Sequence, residues 1–210
     1  MGKIILASQS PRRADILKKM NLDLEVIPSP YEEKSTLADF SFFSECSTGN
    51  ANPPTALLDF IENLAYQKAA AVLPPLQGGM PQAGGIDEPA LIIGADTVVV
   101  LDNKILGKPK DQAEAFRMLR ALSGRKHSVV TAIAVINSAT GEVRKNSTTS
   151  FVEFEDLTDE QINDYIRDFK PFDKAGSYGI QEMPEGYIKS YSGSLENIIG
   201  LCPQALKSLL

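Results

Sequence analysis

Apolar side chains along the chain fall into short strand-like runs and longer stretches with helical spacing. The run I-I-L-A at 4–7 predicts a buried strand, and Ser10 followed by Pro11 predicts the N-cap and first residue of a helix over 11–20. Apolar residues within 55–73 recur at helical intervals, which predicts an amphipathic helix. The chain is therefore expected to open with a strand, a turn and a helix.

The longest apolar run predicts the central strand of a sheet. L-I-I-G-A-D-T-V-V-V-L at 91–101 is almost continuously apolar and rich in β-branched residues, as in strands buried on both faces. D-N-K directly after it predicts a tight turn. Further strands are predicted at 22–28, at 127–137 and at 147–155, and the last two are expected to pair antiparallel.

Spacing and capping signals predict three more helices. One covers 111–122 and ends at S-G, and another covers 158–169, where T-D-E-Q fits a capping box. A last helix is predicted after Pro203, and the short apolar pieces between 170 and 202 predict no regular element. Strands and helices therefore alternate as in an α/β protein.

Two stretches interrupt this pattern. Residues 34–54 are rich in Ser, Thr, Asn and Phe without a clear period, and 74–90 begins with a segment dense in Gly and Pro. We predict that both are inserted or mobile loops within one domain that spans 1–210.

Composition narrows the classes of function. The 210 residues suffice for one large α/β domain, or for two small ones around a cleft. The net charge of −6 argues against a general nucleic-acid surface, which needs a dense basic face. Cys46 and Cys202 form no C-x-x-C pair, so neither a zinc site nor a disulfide framework is indicated. No signal peptide and no apolar run of about eighteen residues occurs, so we expect a cytoplasmic protein without a membrane partner.

The first turn, A-S-Q-S-P-R-R, carries candidates for phosphate binding. A helix N-terminus presents backbone N–H groups and the positive end of the helix dipole, and both favour an anion. Arg12 and Arg13 would add charge and bidentate donors, and the hydroxyls of Ser8 and Ser10 would add hydrogen bonds. An ordinary capped helix with solvated arginines fits the same short pattern, so both interpretations stay open at this point.

Asp96 lies in the middle of the strand that is predicted to be the most buried. A carboxylate at such a position is costly unless it is paired, hydrogen-bonded or bound to a metal. We interpret it as a functional group, the alternative being a buried structural carboxylate. Gly94 would allow close approach of another backbone or of a ligand, and Thr97 would project from the opposite face of the strand.

Three further charged residues could join Asp96 in a phosphate site. Glu33 alone would be an ordinary solvated acid, but together with Asp96 it could hold Mg²⁺ or Mn²⁺ on substrate phosphates. Lys68 lies among small apolar residues, and Lys108 follows a predicted hairpin in L-G-K-P. Each lysine in isolation is typical of a surface residue. Together with Arg12 and Arg13, the two lysines could form a local basic pocket.

Two familiar chemistries find no support in the sequence. His127 is the single histidine and lies in no Ser-His-Asp or Cys-His motif, so we interpret it as structural or solvated. Neither G-x-x-x-x-G-K-[ST] nor G-x-G-x-x-G occurs, so a Walker NTPase and a standard dinucleotide-binding protein are excluded.

Six motifs, in order along almost the whole chain, resemble the Maf family of nucleotide pyrophosphatases. The motifs are L-A-S-Q-S-P-R-R at 6–13, E-E-K at 32–34, I-I-G-A-D-T-V-V at 92–99, L-G-K-P at 106–109, L-S-G-R-K-H-S-V-V-T at 122–131 and D-K-A-G-S-Y-G-I-Q at 173–181. The resemblance implies an α/β fold like that of inosine triphosphate pyrophosphatases. Such a fold has an elongated mixed sheet, flanked by helices, with two lobes around a cleft.

The resemblance also implies a house-cleaning activity and a site. A nucleoside triphosphate is hydrolysed between its α and β phosphates, with a divalent cation (Mg²⁺ or Mn²⁺), by a homodimer. Asp96 matches the family's proton acceptor and, with Glu33, its metal ligands. The positions that contact substrate phosphates correspond to Ser8, Arg13, Lys68 and Lys108.

The A-D-T and G-I-Q motifs resemble the branch of the family that acts on dTTP and UTP. Arg12, Thr97 and Gln181 match the positions linked to that base preference. Two departures adjoin the expected base pocket: E-M-P-E-G after Gln181, where the family is Gly-rich, and L-E-N-I-I-G-L-C, where it has an aromatic residue and L-P. Two alternatives stay open, a pyrophosphatase for other modified nucleotides such as 7-methyl-GTP and a non-catalytic nucleotide-binding regulator of cell division.

Overall fold

The computed structural model describes residues 3–31, 52–73, 76–77, 80–81 and 89–210. The strands within these residues are β1 (Lys3–Leu6), β2 (Leu24–Val26), β3 (Leu76–Gln77), β4 (Met80–Pro81), β5 (Ala90–Leu101), β6 (Lys104–Leu106), β7 (Lys126–Asn137), β8 (Val143–Phe154) and β9 (Ile188–Ser192). The helices are α1 (Pro11–Lys19), α2 (Thr55–Ala70), α3 (Gln112–Leu122), α4 (Asp159–Phe169), α5 (Leu195–Ile199) and α6 (Pro203–Lys207). None of these helices is long and apolar enough to cross a membrane.

The main sheet is mixed and has the order β2-β1-β5-β7-β8-β9, with β6 added beside β5. The strands β2, β1 and β5 run parallel, whereas β5, β7, β8 and β9 pair antiparallel. This confirms the predicted α/β class with a mixed sheet flanked by helices. It also confirms that the 91–101 run forms a buried strand with neighbours on both sides.

One edge of β5 is divided between two short strands. Its residues 90–93 pair with β1, and its residues 99–101 pair with β6. The stretch 94–98 has no strand partner on this edge among the described residues, although its other edge pairs with β7 throughout. A cleft therefore opens in the sheet beside Asp96 and Thr97.

The hairpin from β5 to β6 turns at Asp102 and Asn103, which have φ angles of 50° and 60°. Asp and Asn tolerate this left-handed backbone better than most residues, and two such residues in sequence make the turn that suits a tight hairpin. The turn predicted from D-N-K is therefore confirmed. It returns the chain to the site edge of the sheet, where Lys108 follows β6.

Helix α2 packs against β5 more closely than a side chain would permit. A Cβ added at Gly94 would lie 2.1 Å from the backbone O of Ala65 and 2.7 Å from the backbone N of Ala69. The close approach expected at Gly94 is therefore that of another backbone. The opposite face of the sheet is covered by α1, α3, α4, α5 and α6, whose apolar side chains join two clusters with the sheet.

Predicted and observed helices agree to within a few residues. Asp111 and Thr158 are N-caps whose side chains accept backbone N–H groups, and Thr158 forms the predicted capping box. Ser10 occupies the N-cap position of α1 as predicted, but its side chain makes no capping hydrogen bond. Its own backbone N–H instead donates to Ser8 Oγ at 3.2 Å.

A 3-10 helix (Ala175–Ser177), the strand β9 and helix α5 lie between 170 and 202, and none of them was predicted. The strand β9 is an exposed edge strand, so it lacks the alternation of a half-buried strand. Helix α5 has five residues and is too short to show helical periodicity, although Ser194 caps it by accepting the N–H of Asn197. Tertiary packing, rather than local pattern, selects β9 and α5.

The two predicted loops are described only in part. Most of 34–54 lies outside the described residues. Within 74–90, β3 and β4 pair antiparallel, and β5 begins at Ala90. That these stretches are inserted or mobile loops stays a prediction.

Candidate active site

A pocket lies where the cleft in the sheet meets the start of α1. It contains about 930 Å³ of non-protein space, including open solvent at its mouth. Most of the predicted site residues line it: Arg12, Arg13, Lys68, Asp96, Thr97, Lys108 and Gln181. Ser8 is buried and contacts the pocket wall through Arg13. Glu33 lies outside the described residues.

The buried carboxylate of Asp96 is paired with Lys68, whose Nζ donates to Asp96 Oδ1. Asp96 is 5% exposed, so it requires a counter-charge of this kind. Lys68 belongs to the part of α2 that approaches the backbone of β5 at Gly94. The absence of a side chain at position 94 thus allows α2 to bring its lysine to the carboxylate.

Arg13 is held at the pocket wall by all three of its guanidinium nitrogens. Its Nε donates to the backbone O of Gly200 at 2.9 Å, its Nη1 to Ser8 Oγ at 3.2 Å, and its Nη2 to Thr97 Oγ1 at 3.0 Å. These partners come from β5, from the turn after β1 and from the end of α5. Because the guanidinium has so many fixed partners, it is set in place before any ligand binds.

Thr97 connects Arg13 to a chain of hydroxyl groups beneath the pocket. Its Oγ1 lies 2.9 Å from Thr131 Oγ1, and Thr131 donates to the backbone O of Asn197 at 2.8 Å. Thr131 uses its proton in that bond, so Thr97 is the donor between the two hydroxyls. The hydroxyl of Thr97 is therefore already engaged by Arg13 on one side and by Thr131 on the other.

The other two predicted specificity residues, Arg12 and Gln181, are both associated with the segment 173–181. Arg12 Nη1 donates to Asp173 Oδ2 at 3.3 Å, and Gln181 lies eight positions further along this segment. Burial alone would raise the pKa of Asp173, but the hydrogen bond from Lys174 and the charges of Lys174 and Arg12 together lower it below its ordinary value.

No group of three His, Cys, Asp or Glu side chains suited to a metal occurs in the part of the chain that the structure describes. Asp96 and Asp173 are the described carboxylates that line the pocket. The predicted pairing of Asp96 with Glu33 on a metal is thus not tested by these residues.

His127 is buried beneath the pocket wall. Its Nε2 lies 2.7 Å from the hydroxyl O of Tyr178, and its ring makes edge contacts with Phe154 and Tyr178. Burial lowers the pKa of His127 to about 4, so its ring is neutral at ordinary pH. Of the two interpretations of His127, structural or solvated, the structural one is therefore confirmed.

Sequence reasoning did not single out Lys174, Thr131 or Asn197. Lys174 lies in the D-K-A-G motif, where a basic residue before small residues gives no local sign that it is buried. Thr131 interrupts an apolar run as Asp96 does, and that signal was available. Asn197 is completely buried in α5, an element that was not predicted.

The pocket is strongly cationic although the chain as a whole is acidic. Five basic side chains and two acidic ones line it, a local excess of three positive charges in a chain of net charge −6. The fold and the site thus define an α/β protein with a cationic cleft at an interrupted sheet edge. The chain belongs to the family of Maf-like proteins, whose family model matches residues 3–210. The predicted family is therefore confirmed.

Curated relatives match over nearly their whole length. A dTTP/UTP pyrophosphatase of Ruminiclostridium cellulolyticum is 39% identical over 100% of this chain and 95% of its own. One of Thermosipho africanus is 38% identical over 95% of this chain and 87% of its own. One of Bdellovibrio bacteriovorus is 35% identical over 99% of this chain and 96% of its own.

Proposed function

We propose that the chain is a nucleoside triphosphate pyrophosphatase that converts dTTP and UTP to the monophosphate and pyrophosphate. The observation that carries this proposal is the excess of positive charge in the pocket around one buried carboxylate. A triphosphate is the kind of ligand that such a pocket attracts. The names of the relatives support both the reaction and the pyrimidine bases.

Arg13, Lys68 and Lys108 bind the phosphates. Arg13 is pre-oriented by its contacts with Ser8, Thr97 and Gly200, so it can clamp an oxyanion without reorganising. Positioning and electrostatic stabilisation supply most of the catalysis in phosphoryl chemistry, and a fixed guanidinium serves both.

Asp96 orients the attacking water and accepts its proton. The water oxygen forms a bond to either the α or the β phosphorus. The bond between that same phosphorus and the oxygen that bridges the two then breaks, so that the bridging oxygen leaves with the other phosphorus. The products are the nucleoside monophosphate and pyrophosphate. Lys68 holds Asp96 in the pocket through their ion pair.

A divalent cation fits this donor set, because Mg²⁺ and Mn²⁺ prefer carboxylate and phosphate oxygens and Asp96 offers a carboxylate on the pocket wall. Asp96 and Glu33 would hold the cation together with the substrate. When bound, it would neutralise charge on the phosphates.

Arg12, Thr97 and Gln181 select the base. The amide of Gln181 offers both a donor and an acceptor, which matches the edge that uracil and thymine present. Thr97 lines the same pocket, which supports its place in this set.

The chain acts in the cytoplasm as a homodimer, without nucleic-acid or membrane partners. The absence of a membrane-crossing helix among the described residues and the net charge of −6 are compatible with this proposal.

A panel of nucleotides tests the proposed function. Release of pyrophosphate and of phosphate is measured separately from dTTP, UTP, CTP, ITP and 7-methyl-GTP, with Mg²⁺ or Mn²⁺. Pyrophosphate from dTTP and UTP in preference to the others is the expected result. Preference for 7-methyl-GTP would overturn the base assignment, and tight nucleotide binding without turnover would favour a regulator.

A further inference from the structure

Lys174 is the only buried lysine or arginine among the described residues, at 7% exposure. It lines the pocket, yet it belongs to neither the phosphate set nor the base set described above. A buried ammonium group is costly unless carboxylates compensate its charge. Its partners should therefore show what it does.

The ammonium group of Lys174 lies between two carboxylates. Its Nζ donates to Asp173 Oδ1 at 2.8 Å and lies 3.0 Å from Glu182 Oε2. The second contact is a charge contact, because Oε2 accepts no hydrogen bond from the described residues. The stem of the lysine packs on Gly179, where an added Cβ would lie 3.0 Å from Lys174 Cε.

Each carboxylate lies next to one residue of the predicted base site. Asp173 also accepts from Arg12, at the start of α1. Glu182 is adjacent to Gln181, in a turn closed by the hydrogen bond from Glu182 N to Gly179 O at 2.9 Å. Alternating charges thus run from Arg12 to the turn that carries Gln181, and Lys174 is the central cation.

We infer that Lys174 is a positioning residue for base selection, which holds Arg12 and Gln181 at a fixed separation. The inference rests on the proposed function, because it takes these two residues to face the base. Without the ammonium group between them, the negative charges of Asp173 and Glu182 would repel each other, and the turn at 179–182 would move.

The test is the ratio of kcat/KM for UTP to kcat/KM for CTP in Lys174→Met, which keeps the stem and removes the charge. We expect the ratio to fall about tenfold, because Arg12 and Gln181 are still present and only their fixed separation is lost. Partial unfolding lowers both rates equally, so a purely structural role leaves the ratio unchanged. Lys145→Met, at an exposed position on β8, is the matched control and should keep the wild-type ratio.

A second variant separates charge repulsion from lost packing. In Lys174→Met with Glu182→Gln, one of the two uncompensated carboxylates is gone, so we expect part of the UTP preference to return. An unchanged UTP to CTP ratio in Lys174→Met would overturn the inference.

A binding measurement distinguishes this inference from the proposed function. The affinities for UTP and CTP are compared by calorimetry in Asp96→Asn with and without Lys174→Met, so that turnover is not needed. If the wild type releases no pyrophosphate, the proposed reaction fails, while a UTP preference in binding that Lys174→Met abolishes still supports the positioning role. Equal affinities in the Asp96→Asn parent would overturn the inference.

Discussion

At the scale of single residues, two polar side chains in the buried strands beside the pocket have specific partners. Asp96 in β5 is paired with Lys68 from α2. Thr131 in β7 donates to the backbone of Asn197. Lys68 thus fixes Asp96 in the pocket wall, and Thr131 supports Thr97, which also lines the pocket, so packing and the site depend on the same contacts.

His127 makes stability depend on pH. Its folded pKa of about 4 lies below the ordinary 6.5, so between these values the unfolded chain binds a proton that the folded chain does not. This contribution to stability is therefore complete above pH 6.5 and decreases as the pH falls toward 4. We expect a loss of about 2 kcal/mol at pH 4.5 relative to pH 7 from this group alone.

Urea unfolding at both pH values, for the wild type and for His127→Gln, checks this prediction. Glutamine does not titrate, so the wild type should lose about 2 kcal/mol more than the variant on acidification. Equal losses in the two proteins would show that His127 is not the group responsible.

At the scale of elements, the site depends on how closely α2 packs against β5. Gly94 permits backbone contact between them, and the neighbouring turn of α2 carries Lys68. The interrupted edge of β5, between β1 and β6, supplies the opening above this contact. The close contact of α2 with β5 and the gap between β1 and β6 on one edge of β5 together produce the pocket.

Gly94→Ala should therefore destabilise the protein and lower its activity. The new Cβ would meet the Ala65 carbonyl O at 2.1 Å, so α2 must move away, at a cost of about 3 kcal/mol. Thermal unfolding followed by circular dichroism measures the effect.

Gly141→Ala is the matched control, because a Cβ there meets nothing within 4 Å. Its φ of 73° adds only a backbone strain of about 1 kcal/mol. Similar losses in the two variants would contradict the proposed role of the close helix contact.

At the scale of the whole molecule, the charge of the pocket is opposite in sign to the net charge of the chain. The chain is acidic overall, yet the pocket has an excess of positive side chains. Such a field attracts a polyanion to the cleft.

Binding of the triphosphate should consequently weaken with salt. Raising NaCl from about 50 mM to about 500 mM screens the field of the pocket, so KM for dTTP should rise several-fold, while kcat changes less. Steady-state kinetics at constant free Mg²⁺ measures both. A KM independent of salt would contradict the electrostatic account of binding.

Most of the fold could be predicted from the sequence, because β5 and β7 are long apolar runs and the longer helices have apolar residues at helical spacing. Asp96 could be predicted as a site residue, because a carboxylate within an apolar run is costly to bury without a partner. The partners of Lys174 could not be predicted, because Asp173 and Glu182 meet the lysine only after the 173–182 segment folds back on itself. Nor could the divided edge of β5 be predicted, since register between distant strands is not visible in local patterns.

The most direct measurement is pyrophosphate release from dTTP and UTP with Mg²⁺ by the wild type, by Asp96→Asn and by Asp102→Asn. Asp102 is an exposed turn residue outside the pocket, so its variant should retain wild-type rates. We expect Asp96→Asn to lose at least about a thousandfold in kcat and still to bind the nucleotides, because the general base is lost and the cationic side chains remain. Wild-type turnover in Asp96→Asn would contradict the role of Asp96 as the general base.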